Sequence, residues 1–202
     1  MTGAIPIDRI LRFSVLAAGT AAFAVLCGGA LTEREHLRRD LPPWAELHTR
    51  HEQTVIHTAA GEEPICIDLK NGILRLEGTA LQYTARSEWA VADCFVHDFD
   101  RDGSDEMLLH VWKRGSFGEH QPFWRKPDDS FRCTEHLFIF DWDSSRESPL
   151  VPLWMSSQIP VKAQTITVDE AGILRIEAPD GSVTHWQWGS WGLVRVDASW
   201  PA

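Results

Sequence analysis

Between Val96 and Leu108 the chain reads Val96-His97-Asp98-Phe99-Asp100-Arg101-Asp102-Gly103-Ser104-Asp105-Glu106-Met107-Leu108, with carboxylates alternating up to a glycine. Calcium is a hard cation that takes about six to eight oxygens, and carboxylates alternating on a tight loop turn several oxygens toward one point. The spacing predicts a single Ca2+ site. Asp98, Asp100 and Asp102 give side-chain oxygens, Ser104 offers its carbonyl and Glu106 closes the shell. Gly103 allows the sharp backbone turn, and Asp105 is expected to point outward.

An EF-hand opens in the same way but needs a bidentate glutamate at the twelfth loop position and flanking helices. Here that position is Leu109, and apolar strand-like runs lie on both sides. The alternative is a solvated acidic turn without an ion, since Asp and Gly are common turn residues. Against it, four carboxylates in one loop repel each other unless a cation is present.

Signs of catalysis are weaker. No carboxylate pair at glycosidase spacing and no nucleophile with a base and its orienter is visible. His97, His110, His120, His136 and His185 are scattered, and single histidines in strands are more often structural than catalytic. The residues therefore favour a non-enzymatic binding domain. The competing class is an extracytoplasmic glycan-acting hydrolase or lyase, with His120 or His136 as base, calcium orienting an acidic substrate group, and Trp186, Trp188 and Trp191 stacking on sugar. Core packing is the plainer role for those tryptophans. The polar segment from Arg114 to Glu135 is long enough for partner contact, or serves as a simple connection.

The elements that must position the loop are short. After Trp44 the apolar residues come in runs of strand length separated by turn residues, which predicts an all-β fold. The predicted strands are Ile65 to Leu69, Ile73 to Glu77, Val91 to His97, Met107 to Trp112, His136 to Trp142, Val151 to Met155, Thr165 to Val168, Ile173 to Ile176, Val183 to Trp188 and Leu193 to Val196. Gly72-Ile73-Leu74-Arg75-Leu76-Glu77 is echoed by Gly172-Ile173-Leu174-Arg175-Ile176-Glu177. The echo suggests repeated strand-turn-strand units, with the acidic loop in a third unit between them.

Ahead of this body, Arg9 and Arg12 precede an uncharged run from Phe13 to Leu31. The run is about long enough to span a bilayer and also fits a secretory signal, with Gly28, Gly29 and Ala30 at a cleavage position. Residues 1–31 are thus read as a hydrophobic helix acting as signal anchor or signal peptide. Residues 32–43, ending in Pro42-Pro43, are read as a short helical stem and linker, and 44–202 as the β domain. Arg34, Arg38 and Arg39 follow the apolar run, so charge counting does not favour a cytoplasmic N-terminus. An extracytoplasmic location is preferred because such a calcium loop needs external calcium levels.

A net charge of -10 over 202 residues argues against nucleic acid as partner, since a polyanion is repelled by most of the surface. Basic ligands and divalent cations fit better. Cys66, Cys94 and Cys133 lie outside the apolar run, allow at most one bond and lack zinc-site spacing.

The acidic loop resembles that of FG-GAP or VCBS repeat proteins, whose blades pair a strand with a DxDxDGxxD/E loop and a following apolar strand. Further agreement lies in Val111-Trp112-Lys113-Arg114-Gly115-Ser116-Phe117-Gly118, Pro122-Phe123-Trp124, His136-Leu137-Phe138-Ile139-Phe140, Trp154-Met155-Ser156-Ser157 and Trp186-Gln187-Trp188-Gly189-Ser190-Trp191-Gly192. The resemblance covers roughly the C-terminal half. It implies a β-propeller-like array of short antiparallel blades, usually extracytoplasmic, used to bind protein or glycan. The later unit has only Asp169, Glu170, Ala171 and Gly172 at the loop position, and the first has Asp68, Lys70 and Asn71. One metal site is therefore expected. Blades of about 40 to 45 residues give three to four from the folded part, so an incomplete or open array is expected as readily as a closed ring.

Overall fold

The computed structural model of the chain describes residues 33–79, 81–118, 132–146 and 148–196. The apolar run at 1–31, Pro122-Phe123-Trp124 and His120 lie outside the described residues. Among those described, no helix is long and apolar enough to cross a membrane.

Among the described residues a short helix, α1 (residues 33–39), precedes twelve strands. The first sheet comprises β1 (Arg50–Thr58), β2 (Gly61–Lys70), β3 (Ile73–Gly78) and β4 (Gln82–Thr84); the second, β5 (Trp89–His97), β6 (Glu106–Arg114), β7 (Cys133–Trp142) and β8 (Leu150–Met155). The third comprises β9 (Thr165–Val168), β10 (Leu174–Glu177), β11 (Val183–Gly189) and β12 (Gly192–Arg195). In each sheet, chain order is spatial order and every pairing is antiparallel. The fold is therefore all-β, built from three consecutive meanders.

The second sheet is the centre of the molecule. On β6, Met107, Leu109 and Val111 pack with the first sheet's Ile56, Leu74 and Leu76, while Leu108 packs with the third sheet's Ile166, Leu174 and Ile176. On β7, Phe138 and Phe140 face the first sheet, whereas Leu137 and Ile139 face the third. A strand buried on both faces needs apolar residues at successive positions instead of alternate ones, which is why β6 and β7 are buried almost continuously. The outer sheets each have one buried face, and β2 alternates accordingly.

Local chemistry sets the turns and register. Lys70 pairs with Ile73 across Asn71 and Gly72, whose φ values of 53° and 76° match the two left-handed positions of a type I′ hairpin turn. A bulge between Val91 and Asp93 shifts the alternation, so Val91 and Cys94 both face the first sheet. Such bulges re-aim side chains, and Asp93 here accepts a 2.9 Å bond from Arg50 Nη2 on β1.

The stem is docked, not free. Leu37, 1 % exposed, packs on Ala90, Ala92 and Trp112, with Leu41, Trp44 and Leu47 alongside. Arg34 is buried, and its guanidinium donates to three carbonyls, Trp89 O (3.0 Å), Ala85 O (3.1 Å) and Arg86 O (2.8 Å). A charge removed from water needs such partners, and these join α1 to the loop before β5.

The Gly72 and Gly172 echo falls at non-equivalent places. Gly72 turns between the second and third strands of its sheet, whereas Gly172 turns between the first and second of its own. The place equivalent to the acidic loop in the first sheet is the Ala59-Ala60 turn, which has no carboxylate. The echo therefore marks similar hairpins instead of matching blade positions.

Candidate metal centre

The acidic loop joins β5 to β6, and its conformation is held by its own carboxylates. Asp102 N donates to Asp100 Oδ1 at 3.1 Å, Gly103 N to Asp98 Oδ2 at 3.1 Å and Ser104 N to Asp102 Oδ1 at 2.8 Å. From the first residue of β6, Glu106 Oε2 accepts from Phe99 N at 2.7 Å and Asp100 N at 3.3 Å. Arg101 and Gly103 take left-handed φ values of 64° and 95°, which wind the loop tightly enough for its side chains to converge.

Asp98, Asp100, Asp102 and Glu106 each present a carboxylate oxygen within 4.8 Å of the others. Asp98 Oδ1 is buried without a hydrogen-bond partner among the described residues. A buried, unmatched carboxylate oxygen is costly to leave alone. An all-oxygen, carboxylate-rich set with such an orphaned atom suits a hard divalent cation better than a soft one. Ser104 lies on the same turn, but the carboxylate cluster itself comprises Asp98, Asp100, Asp102 and Glu106.

The electrostatics point the same way. Glu106 is only 2 % exposed, and burial, reinforced by the neighbouring Asp100 and Asp102 charges against the Phe99 and Asp100 amide bonds, pushes its carboxyl up to about 8. Asp100 is also raised, by burial first and then by the Asp102, Asp98 and Asp141 charges. Both shifts come from burial first and from neighbouring carboxylate charge second, and a bound cation would oppose both.

Asp105 turns away from the cluster, but not simply outward. Its Oδ2 accepts from His57 N at 2.7 Å and lies 2.9 Å from His57 Nδ1, while Asp105 N donates to His57 O at 2.7 Å. These bonds tie the loop to β1. The hydrogen bond and charge of Asp105 raise the His57 pKa. On the other side, Arg101 Nη2 reaches Ala171 O at 3.3 Å, and a Cβ on Gly172 would lie 2.8 Å from His97 Cδ2. His97 in turn packs edge-on against Phe99, with ring centroids 5.5 Å apart. The loop thus sits where all three sheets meet. His57 gave no signal in the sequence, because nothing local links it to a residue 48 positions away.

Among the described residues, the other candidates do not converge on a reaction centre. His136 is fully buried, contacts Ser156 O, Gly115 O and Thr134 Oγ1, and is driven down to about 4, chiefly by desolvation. His110 pairs with Glu135 at 2.7 Å inside the core, where the same Glu135 oxygen accepts from Ala163 N. Trp186 and Trp188 pack in the cluster between the second and third sheets, whereas Trp191 is 92 % exposed on the β11–β12 turn. Cys66, Cys94 and Cys133 are free thiols.

No family model matches the chain, and neither a curated protein nor a solved structure does.

Proposed function

We propose that the chain is a membrane-tethered or secreted, extracytoplasmic binding domain for a protein or glycan ligand, in which one Ca2+ held by Asp98, Asp100, Asp102 and Glu106, with the Ser104 carbonyl completing the shell, is structural. The observation that carries this reading is the convergence of the four carboxylates, including the orphaned Asp98 Oδ1, at the junction of three sheets. An ion bound there stiffens the connection between β5 and β6 and, through His57 and Ala171, the turns of both outer sheets. Those turns are then fixed for ligand contact. The three meanders fit an open, propeller-like array of FG-GAP or VCBS type.

The test is calorimetric calcium titration of the full chain in detergent, with magnesium and Asp100→Asn as controls. One saturable, calcium-selective site lost in the variant supports the reading. No heat at millimolar calcium, a level at which extracellular modules bind, would remove its basis.

A further inference from the structure

We propose that the folded unit lies with one fixed face against lipid, the face carrying α1 and the 85–89 loop, and presents the carboxylate loop at the end farthest from the membrane. This rests on the tethered form of the reading above, in which the run from Phe13 to Leu31 stays in the bilayer.

The geometry follows from how little chain separates that run from a docked residue. From Leu31 to Arg34 the backbone reaches about 10 Å at most. Arg34 is held by three carbonyls of the 85–89 loop, and Leu37 is buried one helical turn later. A flexible spacer would let the domain tumble, but no free spacer exists between 34 and the core. The loop bound by Arg34 is therefore brought up to the headgroups.

The strand that begins at this loop sets the other end. β5 runs nine residues from Trp89 to His97 and delivers the chain directly into the acidic loop. At about 3.3 Å per residue the carboxylates lie up to roughly 26 Å along the strand from the loop that Arg34 binds, and so away from the lipid-facing end. The charge distribution differs between the ends: Glu62, Glu63 and Asp141 border a cleft at the end that His57 ties to the acidic loop, whereas the α1 face mixes Arg38, Arg39 and Arg86 with Glu33, Glu35, Asp40 and Glu88. An anionic headgroup layer repels the first end more than the second.

The test uses the full chain reconstituted in vesicles of phosphatidylcholine and phosphatidylglycerol that carry a headgroup quencher. A fluorophore is attached at Ser87→Cys or at Ser144→Cys, with Cys27→Ala, Cys66→Ala and Cys133→Ala as background. Cys94 stays because it is 1 % exposed. The expected result is several-fold stronger quenching at position 87 than at 144, abolished by Arg34→Ala and reduced by Arg34→Lys, which keeps the charge but not the fork. If the alanine variant fails to fold, the lysine variant decides. Equal quenching at both positions in chains that float with the vesicles overturns the fixed face and leaves the metal reading standing. Chains that do not float with vesicles overturn the inference together with the tether.

Discussion

Neutralising Asp100 should stabilise the protein without calcium and destabilise it with calcium. In Asp100→Asn the amide oxygen still accepts from Asp102 N, so the turn keeps its 3.1 Å bond, and only charge is removed. Two unit charges 4.8 Å apart repel by about 3 kcal/mol at an effective dielectric near 20, and by under about 1 kcal/mol in water. Asp102 is exposed, so its share is screened, and a net relief of about 1–2 kcal/mol in the metal-free protein is the working figure. Calcium at a hundredfold excess over its dissociation constant adds about 2.7 kcal/mol to the wild type, a rise of roughly 5–10 °C in Tm for a chain of this size. The variant forfeits most of that rise. Melting both proteins in chelator, in calcium and in magnesium should give curves whose order reverses between the first two conditions. An equal calcium shift in both, or a variant less stable in chelator, would refute the argument that the loop is a strained, cation-requiring carboxylate cluster.

Three further outcomes follow from the same structure. The Glu106 carboxyl, raised to about 8 from 4.5, binds more protons folded than unfolded between those values. Metal-free stability should fall as pH rises through that window, and saturating calcium should flatten the fall, as read by urea midpoints in chelator and in calcium. His136, depressed to about 4 from 6.5, acts in the opposite sense: its stabilisation is full above 6.5 and lost as pH drops toward 4, so His136→Gln should flatten the acid limb of the calcium-saturated profile. A fragment starting at Pro43 should be at least about 2–3 kcal/mol less stable by denaturant unfolding than one starting at Glu33, because it loses Leu37 burial and the Arg34 bonds.

How far these features could be read in advance differed by the range of the interaction involved. The carboxylate cluster was legible because its four members sit within nine residues and local hydrogen bonds wind them together. The continuous apolar runs of β6 and β7 contained the information that one sheet is covered on both faces. β1 was not predicted: in Arg50–Thr58 only Ile56 is fully buried, and its strand state depends on pairing with β2. β4, three residues long, is too short for a periodicity to register. Residues 32–43 looked like a linker because charged residues and prolines usually mean solvent, yet Arg34 is buried by carbonyls more than fifty positions away. Asp105 was expected to face outward for the same reason, since its partner His57 belongs to another sheet.

Whether a calcium ion bound at the loop would act as a strut or a reagent turns on what surrounds the loop, and Gly172 gives that question a separate handle. A reagent ion needs a substrate beside it and is indifferent to how the neighbouring sheets pack. A strut must transmit its effect through contacts, and on the third-sheet side the close approach of Gly172 to the His97 ring is one of them. Gly172→Ala adds a Cβ 2.8 Å from the His97 ring at a left-handed φ of 74°, so the turn or the ring must give way at a cost of about 1–2 kcal/mol. None of the four carboxylates is altered. If calcium stabilises by joining the sheets, the calcium-induced rise in Tm should shrink in this variant although the loop sequence is intact. If the full rise persists on a lowered baseline, the ion acts within the loop alone, and the coupling of the three sheets through it is wrong.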